Sequence, residues 1–320
     1  MKLLFAYDGS ECSEAAIEDL VRAGLPAEGQ ALVLTVAEVW LPPPGLKANV
    51  TGIRLDAETS QIIRNHLIKA EKAVEEARLQ AIRAGERLQS ILPEWKISGE
   101  ASYGSPAWEI LTRADKFRPD LIVAGSHGRS ALGRLLTGSV SQKILTEANC
   151  SVRIARNGHG EAEPRPARLV VGFDGSTGAD AAVKAVTARS WPSGTVVRMI
   201  AAADPLTPSL IGKLVVPIAQ IVEEVNETEH RWLEKKAERA LRALRRKGLE
   251  ASFQVFAGHP KQVLVHETKN WGADCVFVGA NAFGSRMERF LIGSVSAAVA
   301  AHAPCSVEIV RKRRPGKFKS

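Results

Sequence analysis

Residues 1–20, MKLLFAYDGSECSEAAIEDL, recur as ARLVVGFDGSTGADAAVKAV from Ala167. Each stretch opens with an apolar run of strand length, turns at Asp-Gly-Ser and continues into an alanine-rich segment of helical period. A repeat couples two weak patterns into one observation, so the whole chain is read as two copies. Asp8 matches Asp174, Gly104-Ser-Pro106 matches Gly258-His-Pro260, and Asp120-Leu-Ile-Val-Ala-Gly125 matches Asp274-Cys-Val-Phe-Val-Gly279. Gly138-Ser139-Val140-Ser141 returns as Gly293-Ser294-Val295-Ser296, and Cys150-Ser-Val152 as Cys305-Ser-Val307. The offset is 166 at Asp8 and 155 at Gly138, which gives the first copy about eleven extra residues. They are expected in the loop around Leu41–Ala57, whose LPPPG cannot be regular helix or central strand.

Within the first copy, apolar runs predict strands at Lys2–Tyr7, Ala31–Val36, Trp95–Ser102, Asp120–Ala124 and Ser151–Arg156. Between the second and third, Ile63, Leu67, Ala70, Val74, Ala77 and Ala81 place one apolar stripe on a helix, for which Gly85 is the expected end. Near-continuous apolar strands alternating with helices imply a parallel sheet covered on both faces. The fold class is α/β: two tandem doubly wound, Rossmann-like domains, each with a parallel five-stranded sheet. Domain 1 is expected at 1–156, a Gly- and Pro-rich linker at 157–166, domain 2 at 167–311 and a basic tail at 312–320. Ligands of such sheets sit beyond the carboxyl ends of the strands, where the sequence places Asp8, Val36 and the loop from Gly125.

The 320 residues carry 45% hydrophobic and 24% charged side chains, a globular composition. No apolar run approaches the roughly 18–20 residues of a bilayer span, and the N-terminus lacks a signal-peptide core. A cytoplasmic location is the expectation. Cys12, Cys150, Cys275 and Cys305 form no C-x-x-C pair, which disfavours zinc or dithiol chemistry. Cys150 and Cys305 precede the last strand of each copy, where a small buried apolar residue is expected. The formal charge is +8, but Arg311, Lys312, Arg313, Arg314, Lys317 and Lys319 supply +6 of it, so the remaining chain is nearly neutral. The tail is a salt-sensitive accessory for acidic partners or lipid, or a solubilising end. Aromatics are 5% and the six tryptophans do not interleave with basic residues, so specific nucleic-acid recognition is not expected. The charged helix expected at Asn226–Lys247 reads as a solvated face with cations at its C-terminal pole.

The loop Gly125-Ser-His127-Gly128 leads to Gly138-Ser139-Val140-Ser141 at the start of a helix. Gly125 and Gly128 allow a sharp turn and close approach of backbone to a ligand, and the helix start offers unpaired N–H groups and a positive dipole end to phosphate. There is no G-x-x-x-x-G-K-[ST] and no G-x-G-x-x-G after a strand, which removes the commonest NTPase and dinucleotide readings.

Asp-Gly-Ser after the first strand, the spacing Gly, two residues, Gly, nine residues, Gly-Ser, and the paired Gly-Ser-Val-Ser and Cys-Ser-Val segments strongly resemble the universal stress protein family. The resemblance covers both halves. It implies two adenine nucleotide alpha hydrolase-like domains in a family with ATP-binding and non-binding members. Carried over, it places Asp8 at the adenine, Val36 at the base or ribose, and Gly125, His127 and Gly128 around ribose and phosphates. Gly138, Ser139, Val140 and Ser141 would hold the phosphates through N–H and hydroxyl groups. The counterparts are Asp174, Ile200, Gly279, Gly293, Ser294, Val295 and Ser296. In the second copy Gly279-Ala-Asn-Ala282-Phe-Gly284 displaces the second glycine, so nucleotide binding is expected mainly in domain 1.

The implied function is a stress-response protein that binds ATP or a related adenine nucleotide, with Mg²⁺ accompanying the phosphates, as a regulatory ligand. No base or charge clamp for phosphoryl transfer stands out. A partner-binding scaffold with vestigial sites and a slow ATP hydrolase are the rival readings. Asp8 and Asp174 also make sense as plain turn and N-cap residues, and the glycines as tight strand-to-helix turns. The family resemblance further implies that the last strands pair edge to edge, making Ser151–Arg156 and Ser306–Arg311 the contact of an intramolecular pseudo-dimer. Further assembly into a homodimer is left open.

Overall fold

The computed structural model describes residues 1–42, 57–126, 138–156, 166–203, 216–280 and 292–311, without the side chains of residues 57–60 and of several residues between 216 and 229. The first copy runs β1 (Lys2–Ala6), α1 (Glu11–Asp19), β2 (Gly29–Ala37), α2 (Ala57–Ile91), β3 (Trp95–Tyr103), α3 (Pro106–Phe117), β4 (Leu121–Gly125), α4 (Ser139–Glu147) and β5 (Ser151–Ala155). The second repeats it: β6 (Arg168–Gly172), α5 (Thr177–Thr187), β7 (Val196–Ala203), α6 (Val216–Arg245), β8 (Glu250–Ala257), α7 (Pro260–Trp271), β9 (Cys275–Gly279), α8 (Ser294–His302) and β10 (Ser306–Val310). The linker core 157–165 and the tail 312–320 lie outside the described residues.

Within each copy every strand pairing is parallel. The two five-stranded sheets are not separate. They form one sheet of order β3-β2-β1-β4-β5-β10-β9-β6-β7-β8, in which β5 and β10 alone run antiparallel to each other.

Strand alternation splits the core by face. On one face, Leu4, Ile122, Val152 and Ile154 of the first copy share a single cluster with Val170, Val276, Val307 and Ile309 of the second. On the other face each copy keeps its own cluster, around Leu3, Phe5 and Val123 in the first and Leu169, Val171 and Phe277 in the second. The seam is therefore apolar on one side only. Val152, Ile154, Val307 and Ile309 are fully buried there, each worth about 1.5–3 kcal/mol relative to exposure.

Two helices differ from the sequence expectation. Gly85 does not end α2, which continues to Ile91. The stripe extends through Ala84 and Leu88, both buried against the sheet, and that packing outweighs the roughly 1 kcal/mol that an interior glycine costs. Helix α6 starts at Val216, well before Asn226, and ends at Arg245. Most of the loop expected around Leu41–Ala57 to hold the first copy's surplus lies outside the described residues. On α6, Arg231 and Arg242 pair with Glu227 and Glu238 one turn away at 3.4 Å, as a solvated face does.

Candidate functional site

The repeated Asp-Gly-Ser builds the same turn twice. Gly9 and Gly175 sit at φ +72° and +71°, a conformation that favours glycine. Ser10 Oγ then accepts from Ser13 N at 3.2 Å, capping α1, and Ser176 Oγ accepts from Ala179 N at 3.2 Å, capping α5. Asp8 Oδ1 accepts from Ser10 N at 3.0 Å and from Ser10 Oγ at 2.6 Å; Asp174 Oδ1 accepts from Ser176 N at 3.0 Å. Turn and capping chemistry is thus present at both aspartates.

Gly125 and Gly279 are required, but by the protein itself. A Cβ on Gly125 would lie 2.9 Å from the carbonyl carbon and oxygen of Cys12, and one on Gly279 would lie 2.5 Å from the carbonyl carbon of Gly178. The missing side chain lets α1 and α5 seat on the strand ends, and both glycines also line the cavities at those ends.

Helices α4 and α8 begin differently from α1 and α5. Their N-caps are Gly138 and Gly293, with no side-chain cap bond. Gly138 N donates to Ser126 O at 2.8 Å and Gly293 N to Ala280 O at 2.7 Å. The hydroxyls of Ser141 and Ser296 donate to Gly125 O and Gly279 O at 2.7 and 2.6 Å, tying helix start to strand end. Those hydroxyl protons are therefore committed. The N–H groups of residues 139–141 and 294–296 have no acceptor within their own helices, and together with the hydroxyls of Ser139 and Ser294 they are what each helix start offers.

At the carboxyl ends of the strands each copy has a cavity. The first, about 720 Å³, is lined by Asp8, Val36, Gly125, Gly138, Ser139, Val140 and Ser141. The second, about 210 Å³, is lined by Asp174, Ile200, Gly279, Gly293, Ser294, Val295 and Ser296. His127 and Gly128, with Ala282 and Gly284 of the second loop, lie outside the described residues. The strand register corrects one equivalence: Tyr7 N donates to Leu34 O and Phe173 N to Ile200 O, so Ile200 corresponds to Leu34 and Val36 corresponds to Ala202.

Several lining residues were missed by sequence reasoning. Tyr7, Thr35, Glu76, Gln80 and Lys143 also face the first cavity. Thr35 is buried and its Oγ1 has no hydrogen-bond partner among the described residues. The available signal was the difference between copies: Tyr7, Thr35 and Lys143 correspond to Phe173, Ala201 and Ala298. Among the described residues no group of three or more His, Cys, Asp or Glu could hold a metal ion, and no helix is long and apolar enough to cross a membrane.

Two doubly wound α/β units, each with a cavity at the carboxyl edge beside an uncapped helix start, define the class as a tandem Rossmann-type protein. The family model described as Universal stress protein family matches residues 1–156 and 167–311. The chain belongs to the universal stress protein family. It is 26% identical to universal stress protein Rv2005c of Mycobacterium tuberculosis over 328 residues, 97% of each chain. The crystal structure of a universal stress protein from Archaeoglobus fulgidus DSM 4304 covers 98% of this chain and 96% of its own, with TM-score 0.58 and 19% identity, a likeness of fold. An Arabidopsis thaliana family protein with AMP bound covers 47% of this chain and 94% of its own, at 20% identity and TM-score 0.33, too slight a likeness to transfer its ligand.

Proposed function

We propose that this universal stress protein binds ATP or a related adenine nucleotide in the first cavity as a regulatory ligand. The observation that carries the reading is the start of α4, whose N–H groups and dipole face a large cavity without a side-chain cap, an arrangement suited to phosphate. Lys143, one turn further on, lines the same cavity and adds a cation. Its 720 Å³ falls within the roughly 300–1,000 Å³ of small-molecule sites. Magnesium would then arrive with the phosphates.

The second cavity supports the rival reading for its own half. At about 210 Å³, with Phe173, Ile200, Ala202, Leu264 and Val278 in its wall, it is small and largely apolar. We assign it a vestigial role. The proposed units are 1–156 and 167–311, joined by 157–166, followed by a basic tail at 312–320, and the two act as a pseudo-dimer across β5 and β10.

The test is to denature the purified chain, identify released nucleotide by chromatography and mass spectrometry, and titrate ATP into ligand-free protein. Gly138→Val, at a backbone conformation of φ −59° and ψ 155° that any residue adopts, projects a side chain at the helix start and should abolish binding. Wild-type protein that neither retains nor binds nucleotide overturns the proposal. A phosphate-release rate above blank that falls in Ser139→Ala would instead favour a slow hydrolase.

A further inference from the structure

The middle of the sheet is closed by two residues that are each other's counterparts in the repeat. At the offset of 155 that relates β5 to β10, Arg153 corresponds to Glu308, and the antiparallel register places the two directly opposite. Two identical edges paired about a twofold axis would set residue 153 against its own copy. Here the position carries opposite charges instead. Arg153 Nη1 lies 3.5 Å from Glu308 Oε2, with both side chains 1% exposed. They occupy the face on which the two cores are separate.

Contacts around this centre fall into two groups. One group obeys the repeat. Arg156 N donates to Ser306 Oγ and Arg311 N to Ser151 Oγ, both at 3.1 Å. The Arg156 guanidinium donates to Ala300 O near the end of α8, and that of Arg311 to Leu145 O near the end of α4. Such contacts form equally well between two like edges.

The other group breaks the repeat. Arg153 donates to Asp19 Oδ2 at 2.6 Å and Oδ1 at 3.1 Å, and Asp19 accepts from Ser306 Oγ at 2.7 Å. The counterpart of Asp19 is Ala185. Glu308 accepts from Arg189 at 2.5 Å, and Arg189 also donates to Ala23 O at 2.8 Å. Ala23 is the counterpart of Arg189. The buried series Asp19, Arg153, Glu308, Arg189 alternates in sign and is neutral. Pairing β5 with a second β5 would replace the central attraction with two facing guanidinium groups, and pairing β10 with β10 would face two carboxylates. Like charges opposite each other are unfavourable on any sheet, and more so where water is excluded.

We propose that this alternating ion series makes the β5 edge selective for β10 and rejects a second copy of itself, so that the partner of each half is the unlike half. Apolar burial on the opposite face supplies adhesion without discrimination, and the charges supply the discrimination. The inference rests on the strand pairing and stands whether or not the cavities take a nucleotide.

The test uses the full chain with a protease site introduced between residues 157 and 166. After cleavage, protein of natural isotope content is mixed with labelled protein and the paired halves are counted by native mass spectrometry. Wild type is expected to re-pair only first half with second half. Arg153→Leu with Glu308→Leu should yield like-half pairs in amounts comparable to unlike ones. Glu308→Gln, which keeps the shape and removes the charge, should raise like-half pairs roughly tenfold, and guards against misfolding of the double variant. Like-half pairs in wild type, variants as selective as wild type, or wild-type halves that separate without re-pairing would each overturn the proposal.

Discussion

Gly125 and Cys12 approach so closely that a single methyl group on the glycine would stand 2.9 Å from the Cys12 carbonyl. Backbone blocks that methyl, and no rotamer can move backbone aside. Gly125→Ala should therefore destabilise the fold by about 1–3 kcal/mol through overpacking, read as a lower urea midpoint. Gly279→Ala, aimed at Gly178 at 2.5 Å, should cost at least as much. Unchanged midpoints would return both glycines to the ligand.

Asp19→Ala removes the principal partner of Arg153. Burial opposes the Arg153 charge, while the attraction of Asp19 and Glu308 holds its pKa well above the ordinary value; a guanidinium does not deprotonate in proteins, so it stays charged after the substitution. A buried charge that loses its partner costs about 3–5 kcal/mol, a loss measurable by chemical denaturation.

Cys275 and Cys305 are buried, and burial raises both thiol pKa values, that of Cys275 to about 12. Neither should react with a thiol reagent until the protein unfolds. The folded chain keeps the Cys275 proton where the unfolded thiol, near 9.0, has lost it. This contribution to stability is complete below pH 9 and declines between pH 9 and about 12, by roughly 1.4 kcal/mol per pH unit. Cys275→Ser should flatten that slope in alkaline denaturation curves.

Lys143→Ala should weaken ATP binding by roughly ten- to a hundredfold, the worth of one charge-assisted hydrogen bond. Adenosine binding should change little, since it brings no phosphate. Isothermal titration with both ligands separates these outcomes, and equal losses would place Lys143 away from the phosphates.

Much of the fold was legible because it is written twice. Apolar runs with Asp-Gly-Ser turns located all five strands of the first copy to within two residues at every end. Gly85 misled because local propensity is weak beside the burial of Ala84 and Leu88. The Val36 and Ile200 equivalence slipped by two residues because an apolar strand looks alike at every second position, and only the hydrogen bonds from Tyr7 and Phe173 set the register.

The candidate site was legible as a set of residues and illegible as a surface. Sequence alone established two copies of one α/β unit, the strands whose carboxyl ends carry the site, and Gly138–Ser141 with Gly293–Ser296 as helix starts, since all of these follow from local period and turn chemistry. Tertiary structure decided that Gly125 serves α1, that Ser141 bonds to a strand end, that Lys143 and Thr35 face a cavity three times the volume of its counterpart, and that Arg153 meets Glu308. Those facts depend on which residues distant in the chain share one face and one register, and no local spacing encodes that.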